Sequence, residues 1–521
     1  MIIRSIILIS ISILVIGCAS TRNKLNEQEK LFQAHNQSSP KVVLLVIDSL
    51  MNESLKKAIQ ENNAPALAFF LKHGQYSKEL ISSYPTMSVT IDSSLITGTY
   101  PDKHKIPGLV WFNEDEQRII NYGNGFFEIM KLGVSEIAEN SLYQYNNVDL
   151  NSNVRTIHEE LDNRGKQTAS INTLIYRGNY PHTLKIPKVV TKVTDIPAEY
   201  HIEGPKMLSL GALIRQDENN KHIVKRLGLN DAYAAQELKH LFVNNLLPEF
   251  TIMYFSENDH TVHTKGPLTT KGIKKVDKHL QEVLNVFPKW ENALDNMIWI
   301  IIGDSKQSSV KKDKKEALID LRKALNDYKT LELGEPVRQK DEIVITANER
   351  MAYIYKISKG ISIKDIARRL QSDSRIGWIA WKEKDMIHVI SGEHEGMLTF
   401  HSGGPFSDVY NQVWSLDGNS SILDLTIRNK QITYGDYPDA LARLYGAIHS
   451  QVGEFLIVDA KSGYEFIGES SPQHSGGAAH GSMHKDDSLT PIIVTGTNKS
   501  IDQLRIVDLK NWILDFLEGG I

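Results

Sequence analysis

Cysteine is nearly absent from this 521-residue sequence: Cys18 is the only one, so no internal disulfide can form and stability must come from packing or bound ions. No charge of one sign dominates, with 59 Lys and Arg against 63 Asp and Glu and a formal net charge of -4. The charges are interspersed along the chain, which leaves no basic face for a polyanion, and nucleic-acid binding is not expected. The apolar run Ser5–Ile16 is too short to span a bilayer comfortably. Internal repeats and low-complexity tracts are missing as well. What is present is 41% hydrophobic residues in a chain long enough for one large core or two domains, the composition of a folded globule.

The amino terminus carries a minimal positive region at Arg4, then the short apolar run, then Val15-Ile16-Gly17-Cys18. That ending resembles a bacterial lipobox, which implies a signal peptide over 1–18, a diacylglyceryl group on Cys18, and a protein anchored by lipid to the cell membrane on its extracytoplasmic side. An uncleaved amino-terminal anchor with an incidental cysteine is the alternative. Residues 19–40 are polar with no apolar period and read as a tether.

Val42–Ile47 is a continuous apolar run ending in Asp48, the pattern of a strand covered on both faces in a parallel sheet. Thr251–Phe255, Met297–Ile302 and Pro491–Thr495 repeat the form, with helical patterns over Asp231–Leu247 and Lys271–Phe287 between them. Strands alternating with helices predict an α/β fold with its sites at the strands' carboxyl ends. A core is expected over 41–340 and again over 435–521, where Pro438–Gln451 reads as a helix and Phe455–Asp459 as a core strand. Between them, 341–434 reads as an inserted smaller α+β subdomain, with short strands at Ile343–Thr346, Met351–Tyr355, Trp378–Trp381 and Met386–Ile390.

Polar residues of catalytic type stand where several of these runs end. Asp48 suits either a metal ligand or a helix N-cap. Asp259 and His263 are four apart, so on a helical turn they share a side and could grip one ion, although the same spacing also serves a solvated face. Asp304 follows Ile300-Ile301-Ile302-Gly303, and His480 lies in Gly476-Gly477-Ala478-Ala479-His480-Gly481. Ser88 sits in Tyr84-Pro85-Thr86-Met87-Ser88, followed by Thr97-Gly98-Thr99-Tyr100-Pro101-Asp102-Lys103-His104, a stretch that by itself also reads as an ordinary Ser/Thr-rich loop at a helix start. A serine hydroxyl is a poor nucleophile at neutral pH, and a nearby cation that stabilises its alkoxide is one remedy.

These segments, taken in order over about 42–496, resemble those of the type I phosphodiesterase and nucleotide pyrophosphatase family of the alkaline phosphatase superfamily. The resemblance implies a central, mostly parallel sheet with helices on both faces. It also implies Ser88 as nucleophile, one ion held by Asp259, His263 and His480, and a second held by Asp48, Asp304 and Ser88. Glu257 is a reserve ligand and His484 either a substitute ligand or a surface residue. Three departures stand out: Ser305 replaces a ligand histidine, Lys306 a glycine, and Ile91 an asparagine that helps hold phosphate oxygens. A second site of oxygen donors alone should hold zinc less firmly and accept manganese or magnesium more readily.

The function implied is hydrolysis of small phosphate esters, mono- or diesters, through a Ser88 phosphoenzyme, with one or two divalent ions, zinc foremost. The alternative is a catalytically degenerate metal-binding or surface-interaction member, favoured by Ser305, Lys306 and Ile91, in which the Lys306 ammonium takes the second ion's place. Trp111 and Phe112 could stack on a nucleobase or belong to the core. A sulfatase is not supported, because neither Cys18 nor Ser88 is followed by x-P-x-R.

Overall fold

The computed structural model describes residues 40–518 apart from 193 and 296. The expected signal peptide with Cys18, and the tether through residue 39, lie outside the described residues. Among those described, no helix is long and apolar enough to cross a membrane.

The run that opens the core shows why the central sheet forms. In β1 (Lys41–Ile47), Val42, Leu44 and Val46 enter one hydrophobic cluster while Val43, Leu45 and Ile47 enter another, so the strand is covered on both faces. The sheet's other strands are β2 (Gly74–Ile81), β3 (Thr168–Ile171), β4 (Met207–Ser209), β5 (Phe250–Phe255), β6 (Met297–Gly303) and β7 (Leu489–Thr495), in spatial order β2-β7-β6-β1-β5-β3-β4. All neighbouring pairs from β6 to β4 are parallel. β7, read from sequence as one more strand of the parallel type, runs antiparallel between β6 and β2.

Helices cover both faces. One side takes α1 (Asn52–Gln60), α2 (Pro65–His73), α4 (Asp231–Val243) and α6 (Lys271–Leu284); the other takes α3 (Ser88–Thr97) and α8 (Leu509–Leu517). In α6, Ile273, Val276, Leu280, Val283 and Leu284 recur at helical spacing and all enter the core. Both α4 and α6 stop short of the expected ends. After α4, Asn245 turns left-handed at φ 55°, and Leu246 N–H closes the end on Leu241 O at 2.8 Å.

A second sheet of nine strands takes in Ile343–Tyr434 and also Glu454–Ala460. That last strand was expected in the central sheet. It lies between Met351–Lys356 and Ile376–Glu383, with Phe455 and Ile457 facing one cluster and Leu456, Val458 and Ala460 the other. α7 (Ala440–Ile448) packs on the same sheet through Leu441, Leu444 and Ile448. Continuous apolar runs do not say which of two sheets they join, so residues 440–460 pack with the second sheet rather than beginning the core's completion.

Candidate metal and phosphate-ester site

Register at the carboxyl edge of the central sheet brings the first acids together. β1 pairs with β6 so that Ile47 faces Gly303, which sets Asp48 beside Asp304 one residue past both strand ends. On the other flank Ile47 faces Phe255, and α5 (Glu257–Lys265) starts two residues beyond. Asn258 at the start of α5 donates its amide to the carbonyls of Asp48 and Ser49, both at 2.9 Å, which fixes the turn after β1.

Ser88 is the first residue of α3, and its Oγ donates to Asp304 Oδ2 at 3.1 Å. The same oxygen accepts from Tyr254 Oη at 3.1 Å, while Oδ1 accepts the backbone N–H groups of Ser49 at 2.9 Å and Ser305 at 2.6 Å. One turn after Ser88, Asp92 is buried and interacts electrostatically with Asp304. Among the described residues, Asp48 Oδ1, Asp92 Oδ1 and Ser305 Oγ are buried without a hydrogen-bond partner. Burial first, and then the facing carboxylates of Asp304 and Asp259, push Asp48 well above the ordinary carboxylate range. Burial with Asp304 does the same to Asp92, and burial also raises Asp304.

Asp259 and His263, on one side of α5 as their spacing predicts, face each other, with Asp259 Oδ1 3.2 Å from His263 Nε2. His480 brings Nε2 to 3.8 Å from the same oxygen, and ligand atoms of the three residues lie within 4.8 Å of one another. Both rings are oriented from behind: His263 Nδ1–H donates to Ala478 O at 2.8 Å, and His480 Nδ1–H to Thr86 O. A carbonyl can only accept, so Nε2 of each ring is the nitrogen turned to the site. Ser49 Oγ at 2.9 Å and Gln307 Nε2 at 2.6 Å steady Asp259 Oδ1. The glycine-rich stretch lets α5 and the 476–481 segment touch, since a Cβ on Gly477 would stand 1.9 Å from His263 O.

Two further residues belong to this group. Glu349 Oε1 lies 3.7 Å from His263 Nε2 and 3.8 Å from His480 Nε2. His474 packs against His263, tilted by 30° with 4.3 Å between ring centroids, and bonds through Nδ1 to Glu465 at 2.9 Å. Burial opposes charge on His263, but Asp259 and Glu349 outweigh it and push its imidazolium up to about 10. Burial likewise opposes the charges on Asp259 and Glu349, and the facing histidines nonetheless hold both carboxyls below their usual range.

Cations fit this donor set. Among the described residues, no lysine or arginine pairs with Asp48, Asp92, Asp259, Asp304 or Glu349, and three of the buried oxygens have no donor. Buried carboxylates need compensating positive charge, and the spacing of Asp259, His263 and His480 suits ligand bonds of about 2.0–2.2 Å.

The structure thus gathers Asp48, Ser88, Asp259, His263, Asp304 and His480. It sends the reserve candidates elsewhere. Glu257 pairs with Lys225, and His484 caps the helix Lys485–Ser488. Lys306 does not place its ammonium in the second ion's position: its backbone N–H is tied to Asp487 O and its side chain reaches out to Glu53 at 3.4 Å. Ile91 packs in the core, so this position offers no amide to the site. Trp111 and Phe112 are core residues too. Sequence reasoning missed Asp92, Tyr254, Glu349 and His474. For Asp92 the signal was its helical spacing from Ser88, whereas Glu349 and His474 had none.

The sequence matches the family described as type I phosphodiesterase / nucleotide pyrophosphatase over residues 42–483. No curated protein matches it. Among solved structures it resembles murine ectonucleotide pyrophosphatase / phosphodiesterase 5, including an inactive form in complex with AMP, with 12% identity, a TM-score of 0.53, and coverage of 92% of this chain and 95% of that one. The human counterpart is 14% identical at the same TM-score and coverage. At these identities the likeness is one of fold.

Proposed function

The chain belongs to the type I phosphodiesterase / nucleotide pyrophosphatase family, and from that premise we propose that it hydrolyses small phosphate esters with Ser88 as the nucleophile. The observation that carries the reading is the bond from Ser88 Oγ to Asp304 Oδ2 beside the unpartnered Asp48 Oδ1. The hydroxyl proton already has an acceptor in Asp304 Oδ2. With the proton on that side, an oxygen lone pair is free to attack phosphorus in line. The Ser88 Oγ–P bond forms as the ester P–O bond breaks and the alcohol leaves with a proton; water then attacks phosphorus, the Oγ–P bond breaks, and phosphate departs as a proton from that water restores the Ser88 hydroxyl.

Members of the family use divalent metals. Asp259, His263 and His480 would hold one ion and Asp48, Asp304 and Ser88 another, neutralising phosphate charge and lowering the pKa of the hydroxyl and of water. Oxygen donors alone at the second position favour manganese or magnesium there and zinc at the first. The chain's own residues orient these groups: Tyr254 and the Ser49 and Ser305 amides fix Asp304, while Ala478 O and Thr86 O fix the two imidazoles.

The missing imidazole at Ser305 and the missing amide at Ile91 favour a catalytically degenerate member as the second reading, while Lys306, whose side chain reaches out to Glu53, does not take the second ion's place. A hydrolysis screen with aryl phosphate mono- and diesters, comparing zinc, manganese and magnesium, separates the two. Ser88→Ala should lower turnover by on the order of 1,000-fold or more without lowering the melting temperature; activity that survives the change refutes the assignment. The proposed site of action is the outer side of a bacterial membrane, through lipid on Cys18. Metabolic labelling with a fatty acid should mark the wild type and not Cys18→Ala.

A further inference from the structure

A site with three protein ligands leaves its fourth position to water or a phosphate oxygen. Here that position is faced by a carboxylate from outside the motif segments that carry the resemblance to the family. Glu349 stands in the two-residue turn between Ile343–Asn348 and Met351–Lys356, with φ 58°, a left-handed conformation that glutamate seldom adopts. Its surroundings hold it there. Phe466 N–H donates to Glu349 O at 2.7 Å, and Arg350 N–H to His480 O at 2.9 Å. A Cβ on Gly481, itself at φ 112°, would stand 2.4 Å from Asn348 O.

The carboxylate is aimed as well as anchored. His480 N–H donates to Oε2 at 3.0 Å, which leaves Oε1 facing His263 Nε2 and His480 Nε2 at 3.7 and 3.8 Å. With the Asp259 separations of 3.2 and 3.8 Å, these distances bracket the edge of about 3.4 Å expected for a tetrahedron with bonds of about 2.1 Å. We infer that Glu349 Oε1 is a fourth protein ligand to the ion held by Asp259, His263 and His480. His474, whose Nδ1 bonds to Glu465 at 2.9 Å, lies 4.0 Å from Oε2, and His263, Glu349 and His474 likewise bring ligand atoms within 4.8 Å of one another. An ion so enclosed would be bound more tightly than by three ligands.

The inference rests on reading Asp259, His263 and His480 as an ion site, and the test separates the two. Metal-stripped, full-length protein is titrated with zinc against a chromogenic chelator, comparing wild type, Glu349→Gln and Asp259→Ala. The expected result is a zinc affinity weakened by on the order of 10–100-fold in Glu349→Gln and more in Asp259→Ala. The visible spectrum of the cobalt-loaded variant should also differ from that of the wild type. If Asp259→Ala loses zinc while Glu349→Gln does not, only this inference falls; if neither loses it, the ion site falls too. Should Glu349→Gln fail to fold, anomalous diffraction from the zinc-loaded wild type decides. A zinc ion about 2.0–2.2 Å from Glu349 Oε1 upholds the inference, and one on the other three ligands with Oε1 beyond about 3 Å overturns it.

Discussion

Loading the site with zinc should expel a proton from His263. Without an ion, its Nδ1–H is committed to Ala478 O, and its Nε2 lies 3.2 Å from Asp259 and 3.7 Å from Glu349. Those carboxylates, against the opposing effect of burial, push its imidazolium up to about 10. At pH 8 most ion-free molecules then carry the proton, and Nε2 offers a cation no lone pair until it leaves. Binding should release about one proton, and the apparent affinity should rise roughly tenfold per pH unit from 7 to 9, levelling off near 10. Titration calorimetry in two buffers of different ionisation enthalpy at one pH counts the proton directly. A count near zero, or an affinity flat between pH 7 and 9, refutes the reasoning. The same shift sets the stability of the ion-free protein: a pKa raised from 6.5 to about 10 contributes stability fully present below the lower value and lost as pH climbs through the upper. The melting temperature of stripped protein should fall from pH 7 to 10, and zinc should remove that dependence.

Two substitutions probe the packing around the site. Gly477→Ala puts a methyl group 1.9 Å from His263 O, so it should cost about 1–3 kcal/mol in denaturant unfolding and weaken zinc binding together. Asp92→Asn removes a buried carboxyl whose Oδ1 has no donor among the described residues, so stripped protein should melt higher at pH 8 while manganese binds more weakly. Unchanged manganese affinity would place Asp92 outside the ion's influence.

Much of this site was legible because the strands that carry it are covered on both faces. Largely apolar runs announce β1, β5 and β6, and the first polar residues past β1 and β6 are Asp48 and Asp304. The four-residue interval from Asp259 to His263 is likewise a local signal. β3 and β4, four and three residues long, are too brief to show a period. Glu349 reaches the histidines only because a hairpin of the second sheet abuts the 478–481 segment, and no local pattern encodes that meeting. Lys306 misleads for a similar reason: its position in the motif is local, but its direction is set by the long-range bond to Asp487 O. Ile91 and Asp92 differ by one step of helical phase, enough to send one to the core and the other to the acids.

The central claim is that acids and imidazoles from distant parts of the chain activate one hydroxyl against phosphorus. Acid-quenching the metal-loaded protein during turnover of an aryl phosphate, followed by peptide mass spectrometry, tests it most directly. The account predicts one added phosphoryl group on the peptide containing Ser88, at that residue. Turnover with no such modification, or with the phosphoryl group on another side chain, contradicts it.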